Sequence, residues 1–540
     1  MAPSEIVVKR SGFPKDFIFG AATSEYQVKG ARNADGKGNM ADSSADGKNG
    51  SVALDQYHMF KEDACLMKKV GLNSFNFSIS WSRILPGGKL SGGISKEGIK
   101  YYNDLIDALS AQGIEPWATL FHWDVPQDLE KEYHGFLDRQ IVDHFRDFAE
   151  ICFWEFGDRV KRWITLNEPW TFCYYGYVMG NFSPRNETST EQQTKSMEQL
   201  MRSSILHYTC AMTIPQFTPP KKDQAGKTDS SEGDPIGDLD AMAQKLLHHT
   251  SSNGNPGTNP YTVAHNLILA HAHAANIYRK YYQEHQRGKI GMANVSTWFY
   301  PLRDNSQDDK DAASRALDFM LGWFVAPVIF GNYPPSMKNH IRGGRLSRFN
   351  PDEVVLVKGS CDFLGINYYT SYYVKNISGN ISQHHYDNDL HVEYHTQQNE
   401  NPQRVGWPSL YIVPEGIYHL MLQMKRSYHN NYNNFKNPEI IITANGLDEV
   451  NNKDLDISKA HIDETRIEYH RDHLECLKRA IDHGVCVKGY FIRSLLDNFE
   501  WAQRYNVRSG IFYVSDPNGC LTKFPKRSAM WWRNFLKKPE

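Results

Sequence analysis

Eight times along this chain a short run rich in β-branched and aromatic residues ends in polar residues, and a longer stretch with helical spacing follows. The runs are FIFGAATS (17–24), NSFNFSIS (73–80), EPWATLFHW (115–123), RWITLNEP (162–169), KIGMANVST (289–297), DFLGINYYT (362–370), EIIITANG (439–446) and VKGYFIRSLLD (487–497). Between them, ISKEGIKYYNDLIDALSAQG carries apolar residues three and four apart and stops at Gly113. DRQIVDHFRDFAEICFWEFGD behaves the same way. Strands alternating with helices predict a parallel sheet. Eight such units predict an α/β chain closed as a single-domain (β/α)8 barrel, with an open doubly wound sheet as the alternative. Two polar stretches break the rhythm. Residues 187–258, rich in Pro, Gly, Ser, Asp and Lys, read as a long loop insertion, and residues 376–403 as a second one. Both leave from the carboxyl ends of strands, where barrel loops build a site.

Composition narrows the class. A net charge of −2 implies no basic surface for nucleic acid. No stretch approaches 18 consecutive apolar residues, so no membrane span is expected. The start MAPSEIVVKR has no apolar core of export-signal length, and the eight cysteines form no CxxC pair. These features predict a cytoplasmic protein, with the nucleus as the other open compartment, and neither zinc nor a disulfide framework. The glycosylation patterns at Asn186 and Asn294 are then chance matches. The chain shows neither a glycine-rich phosphate loop nor a metal-ligand cluster, so no cofactor and no metal are expected.

Carboxyl ends of barrel strands converge on one pocket. The residues there are polar: Gln27 after the first strand, His122 at the third, Asn167 and Glu168 at the fourth, Asn367 and Tyr369 at the sixth. The eighth runs into Asp497, Asn498, Glu500 and Trp501. Amides, an imidazole and carboxylates around an indole suit a sugar, whose hydroxyls need paired donors and acceptors and whose C–H face packs on a ring. A small-molecule ligand is the partner this predicts.

TLNEP (165–169), LFHWDVPQ (120–127), FSISWSRILPGG (77–88), FLGINYYTS (363–371) and SLLDNFEW (494–501) resemble the motifs of family-1 glycoside hydrolases, in that family's order, and the resemblance implies a (β/α)8 barrel over residues 13–535. Phrases such as FWEFGDRVKRWITLNEPWTF resemble the plant β-glucosidases, above all those acting on the alkaloid glucosides strictosidine and raucaffricine. The resemblance implies a retaining β-glucosidase ancestor, with two carboxylates about 5–5.5 Å apart. It makes Glu168 the acid/base, Tyr369 the residue that orients the nucleophile, and Gln27, His122, Asn167, Glu500 and Trp501 sugar-binding residues. It also implies that members associate, as a homo-oligomer or with active glucosidases.

The chain departs from the family pattern around that pocket. The nucleophile is the Glu of a TENG motif, and here Ala444 stands in TANG. A methyl group cannot capture the glycosyl carbon. Asn76 replaces the Arg that accompanies the nucleophile, Arg493 replaces the Trp on which glucose lies, and Ser509 replaces an aromatic wall. Ala41 and Lys29 are further departures. Several changes around one pocket point to a natural loss of retaining hydrolysis, and they favour Glu168 as a base. The expected function is non-hydrolytic proton transfer on an alkaloid aglycone, leading to cyclisation or isomerisation. The alternatives are an alkaloid β-glucosidase disabled by one Glu-to-Ala substitution, and a non-catalytic ligand-binding or scaffold protein.

Overall fold

All eight runs form barrel strands, each trimmed where its polar end begins. The computed structural model describes residues 8–24, 27, 56–180, 255–379, 384–396, 410–429, 439–451, 457–498, 500, 506–515 and 521–537. The strands are β1 (Ile18–Ala22), β2 (Ser74–Ser78), β3 (Glu115–Phe121), β4 (Arg162–Asn167), β5 (Lys289–Val295), β6 (Phe363–Asn367), β7 (Glu439–Asn445) and β8 (Val487–Ile492). Each pairs in parallel with its sequence neighbours, and β1 pairs with β8 through Ile18–Gly489 and Phe19–Tyr490, which closes the barrel. The open-sheet alternative is thereby excluded. The two quoted helical stretches become Lys96–Ala111, capped by the Ser95 hydroxyl accepting from the Gly98 N–H, and Ile141–Phe156.

Side chains alternate across a strand with period two. One set of inward residues, Trp117, Ile164, Ala293, Phe363, Ile441 and Phe491, packs into a buried apolar plug. Trp117 meets Phe363 and Phe491 edge-on, with ring centroids 5.6 and 5.0 Å apart. Below the plug, a cavity of about 120 Å³ opens at the amino end of the barrel between Asp16, Arg162, Glu439 and Lys488. Above it the same strand faces turn polar. Two residues beyond the plug come Thr119 on β3, Thr443 on β7 and Arg493 just past β8, and four beyond on β6 comes Asn367. Gly365 on β6 leaves room for this layer, since a Cβ there would stand 2.9 Å from the Thr443 methyl.

Outside the barrel, the helical stretch Gln307–Phe330 has the length and apolar composition of a membrane span, but 78% of that window is buried inside the protein. Part of the second polar stretch is ordered differently from its composition. Within 376–403, Tyr386–Leu390 is helical and Val392–His395 is a strand antiparallel to Ser371–Asn376, which also pairs with Trp298–Pro301. Its polar majority hides four anchors, Tyr386, Asp389, Leu390 and Val392, all buried. Asp389 holds the Arg345 guanidinium at 2.5 and 2.8 Å. The 187–258 insertion lies outside the described residues except for 255–258, which lead into the helix Asn259–Ile277. Asn294 is buried on β5, which removes it as a glycosylation site, whereas Asn186 lies outside the described residues. The described cysteines Cys65, Cys152, Cys173, Cys361, Cys476 and Cys486 are free.

Plug packing leaves no slack at the β1–β8 seam. A Cβ on Gly20 would stand 2.4 Å from the Phe491 ring and 2.7 Å from the Ser74 carbonyl oxygen. Gly20→Ala is expected to destabilise the barrel by about 1–3 kcal/mol. A melting temperature lowered by a few degrees checks it, and an unchanged one contradicts the packing.

Candidate active site

Arg493 enters the barrel mouth from β8, on the face that carries Phe491 two residues earlier. Its guanidinium donates through Nη1 to Asp448 Oδ1 at 3.1 Å and through Nη2 to Glu500 Oε2, in close contact. Its centre stands 5.4 Å from the centroid of the Tyr369 ring. The carboxylates are nearly closed to solvent, while 21% of the Arg493 side chain stays exposed. Glu500 is held from two further sides: Gln27 Nε2 donates to Oε2 at 3.2 Å, and the Ser509 hydroxyl donates to Oε1. Ser509 Oγ also lies 3.1 Å from Ser494 Oγ. Burial pushes the Glu500 carboxyl up to about 7, although Arg493 pulls it the other way. The two carboxylates hold Arg493 well above its ordinary value despite its burial, so it keeps its charge.

The neighbouring Asp497 is balanced separately, at 3.0 Å from Arg508 Nη1 and 2.7 Å from Lys526 Nζ.

Across the mouth, a chain of side chains leads from β3 to β7. Asn167 Nδ2 donates to His122 Nε2 at 3.0 Å, so the imidazole proton belongs on Nδ1. Asn367 Nδ2 donates to Asn167 Oδ1 at 3.2 Å and to Glu168 Oε1 at 2.7 Å. The Thr443 hydroxyl donates to Asn367 Oδ1 at 2.5 Å, which fixes the amide's orientation. Glu168 takes two more donors: Thr171 Oγ1 on Oε2 at 2.8 Å and the Tyr369 hydroxyl on Oε1 at 3.4 Å. Every one of these contacts has the carboxyl oxygens accepting. The Glu168 backbone is left-handed, with φ 44°, while its N–H donates to the Ala293 carbonyl at 2.8 Å. Strained conformations of this kind gather at functional sites. Here it marks an abrupt change from β4 into the short helix Pro169–Cys173.

Burial, with Arg493 adding to it, pushes His122 down to about 3. An imidazole that stays neutral, with Nε2 already accepting, is a poor proton donor or acceptor. His122 thus stands in the site as a neighbour of Asn167, with its basicity lowered. The Tyr369 hydroxyl reaches Glu168, and Ala444 on β7 offers it no side-chain acceptor. Ala444 is buried at the end of β7, past a register shift between Ile442 and Ala444. Asn76 Oδ1 accepts from Thr119 Oγ1 at 2.9 Å, a neighbour on β3. In the barrel order β1 and β8 stand between its strand and Ala444's. Trp501, Lys29 and Ala41 lie outside the described residues.

Two participants were missed in the sequence. Asp448 follows β7 and completes the ion cluster, and Thr443 locks the amide chain. Thr443 could have been found, since it shares the inward face of Ile441.

A family model, glycosyl hydrolase family 1, matches residues 9–213 and 242–540. Oleuropein β-glucosidase of Olea europaea is 49% identical, over 98% of this chain and 90% of that protein. Raucaffricine-O-β-D-glucosidase of Rauvolfia serpentina is 44% identical, over 98% of this chain and 92% of that protein. Identity to the glucosidase named for oleuropein thus exceeds identity to the one named for raucaffricine, and the expected likeness to alkaloid glucosidases above other plant members is not borne out. The crystal structure of a rice β-glucosidase superposes with a TM-score of 0.82 at 40% identity, covering 98% of this chain and 100% of that one. A Humicola insolens β-glucosidase in complex with glucose gives 0.80 at 32%, covering 97% and 98%. Together with the closed barrel and the clustered Glu168, Asn167, His122 and Glu500, these matches establish that the chain belongs to glycosyl hydrolase family 1.

Proposed function

We propose that this family member has lost retaining glucoside hydrolysis and transfers protons on an aglycone of plant specialised metabolism, with Glu168 as base. The observation that carries this reading is the Arg493 guanidinium, clamped by Glu500 and Asp448 over Tyr369. Glu500 is the carboxylate that the family resemblance gives to the sugar. A hexose would have to compete for it with a partly exposed guanidinium that already holds it. The oxocarbenium-like transition state of glycoside cleavage would then develop positive charge near a guanidinium. Ala444 adds the chemical obstacle, since no carboxylate stands at that position to form a glycosyl-enzyme. Glu168, by contrast, is oriented by three side-chain donors and is equipped to accept a proton. The raucaffricine and oleuropein relatives support a specialised-metabolite aglycone as the ligand class, alkaloid or otherwise. Free thiols at all the described cysteines support a reducing, cytosolic setting.

Loss of a nucleophile costs roughly 10⁶-fold in another hydrolase, about 8 kcal/mol of barrier. Turnover of nitrophenyl β-glucoside is expected to lie about that far below an active plant relative. Ala444→Glu alone is expected to leave it there, because Arg493 still holds Glu500, whereas Ala444→Glu with Arg493→Trp recovers part of it. Recovery in the single variant would show that Arg493 does not obstruct the sugar.

Proton transfer is tested directly by releasing an alkaloid aglycone in situ with an active glucosidase and measuring product ratios by chromatography. The ratio is expected to shift when this protein is added, and Glu168→Gln is expected to abolish the shift. An unchanged ratio with calorimetric binding of the aglycone would make the chain a binding protein. An unchanged ratio without binding would end the proposal.

His122 gives a pH test. Its folded-state value of about 3 lies below the ordinary 6.5. The stability it contributes is therefore present above about 6.5 and lost as pH falls toward 3. Its imidazole NMR resonances are expected to stay constant between about pH 8 and 5. A midpoint near 6 would contradict the burial.

A further inference from the structure

Relative to a retaining glycosidase, the reacting centre has lost a negative charge at position 444 and gained a positive one at position 493. That chemistry develops positive charge on a sugar ring and is helped by a carboxylate on β7. Here Ala444 supplies no negative charge and Arg493 supplies a positive one. A fixed, partly buried cation stabilises developing negative charge, and it is most effective when it is already oriented.

Arg493 is oriented in this way. Its two bonds to Asp448 and Glu500 use two of the five guanidinium N–H groups, leaving three with no partner among the described residues. The side chain keeps 21% of its surface exposed at the mouth. Its centre stands 5.4 Å from the Tyr369 ring centroid, and the Tyr369 hydroxyl lies 3.4 Å from Glu168 Oε1, so the cation and the carboxylate flank one side chain. The mouth therefore presents a base and a preorganised donor of opposite charge.

Resting on the reading that Glu168 transfers a proton on an aglycone, we propose that Arg493 is a catalytic residue, the oxyanion-stabilising group for proton abstraction next to a carbonyl. The ligand is then an enolisable aldehyde, ketone or β-dicarbonyl compound. Glu168 removes the proton from the carbon adjacent to the C=O. The C–H electron pair becomes the C=C bond, and the carbonyl π pair moves to oxygen, where the free Arg493 N–H groups receive it. Return of the proton from Glu168 to another face or position gives an isomer, with no net oxidation or reduction. Where an aglycone carries both an aldehyde and an iminium ion, the aldehyde is the reacting group, because a cationic iminium would be repelled by the guanidinium.

Two measurements test this on the full chain. In the first, acetylacetone is titrated with protein at fixed pH, and its enolate is followed by ultraviolet absorbance. The enolate is expected to bind at least about tenfold more tightly than the neutral diketone, a difference equal to one pKa unit for the bound probe. Arg493→Met is expected to remove that preference. Arg493→Lys, which keeps the charge and loses the planar fork, is expected to retain only part of it. If the Met variant does not fold, Arg493→Gln is read beside Arg493→Lys. Equal affinity for the two probe forms in the unmodified protein, or an enolate preference unchanged in the variants, overturns the proposal.

In the second, aglycone released in D2O is analysed for deuterium at the carbon next to the carbonyl. Incorporation is expected with the unmodified protein, and loss is expected with Glu168→Gln and with folded Arg493 variants. A product shift that needs Glu168 but survives unchanged in the Arg493 variants overturns the role of Arg493 and leaves proton transfer standing. No product shift with any protein overturns proton transfer itself, and the enolate titration still decides whether Arg493 favours an oxyanion.

Discussion

Closure of the sheet between β1 and β8 is the constraint from which the site follows. Once eight parallel strands form a ring, every second side chain on each strand points at every other ring member. Apolar residues filling one layer make the next layer the floor of a pocket. Trp117, Phe363, Ile441 and Phe491 form that plug, and the positions above it on β3, β6, β7 and β8 carry Thr119, Asn367, Thr443 and Arg493. The plug also closes the pocket from below, so the charged cavity at the amino end between Asp16 and Lys488 is separate from it.

Charges placed on such a floor are costly unless they are paired. The molecule meets this with a cluster rather than a single bridge: one guanidinium, two carboxylates, an amide and a hydroxyl. Opposite it, the chain from His122 through Asn167 and Asn367 to Thr443 satisfies each amide in a defined orientation. The two halves differ in character. The amide chain is built from residues that the family pattern retains, and it still presents Glu168. The ion cluster is built around Arg493, a departure from that pattern, and it engages the carboxylate that the pattern gives to a sugar. A retained carboxylate facing a replaced floor is the physical core of the functional reading.

Local signals made much of this legible. The Ile-rich run before Asn445-Gly446 reads as a strand and a stop wherever it is found, and Asn167-Glu168-Pro169 marks a strand end and a proline-initiated helix. Less legible were contacts between residues far apart in the chain. Asp448 reaches Arg493 across 45 positions, and Tyr369 turns to Glu168 across 201. The 376–403 stretch misled because composition averages over a segment, whereas burial of Tyr386, Leu390 and Val392 depends on what packs against them. His122 shows the converse: an imidazole reads as titratable from its identity, whereas its surroundings in the fold lower its pKa.

By itself the sequence determined the number and order of strands, the face each polar residue occupies, and the methyl group at position 444. Those properties depend on period, propensity and residue identity, which are local. Tertiary structure alone decided that the Arg493 charge is paired with Glu500 and Asp448, that Asn367 presents its amide N–H to Glu168, and that His122 stays neutral. Those properties depend on distance, desolvation and competition among partners, and these exist only once the ring has closed.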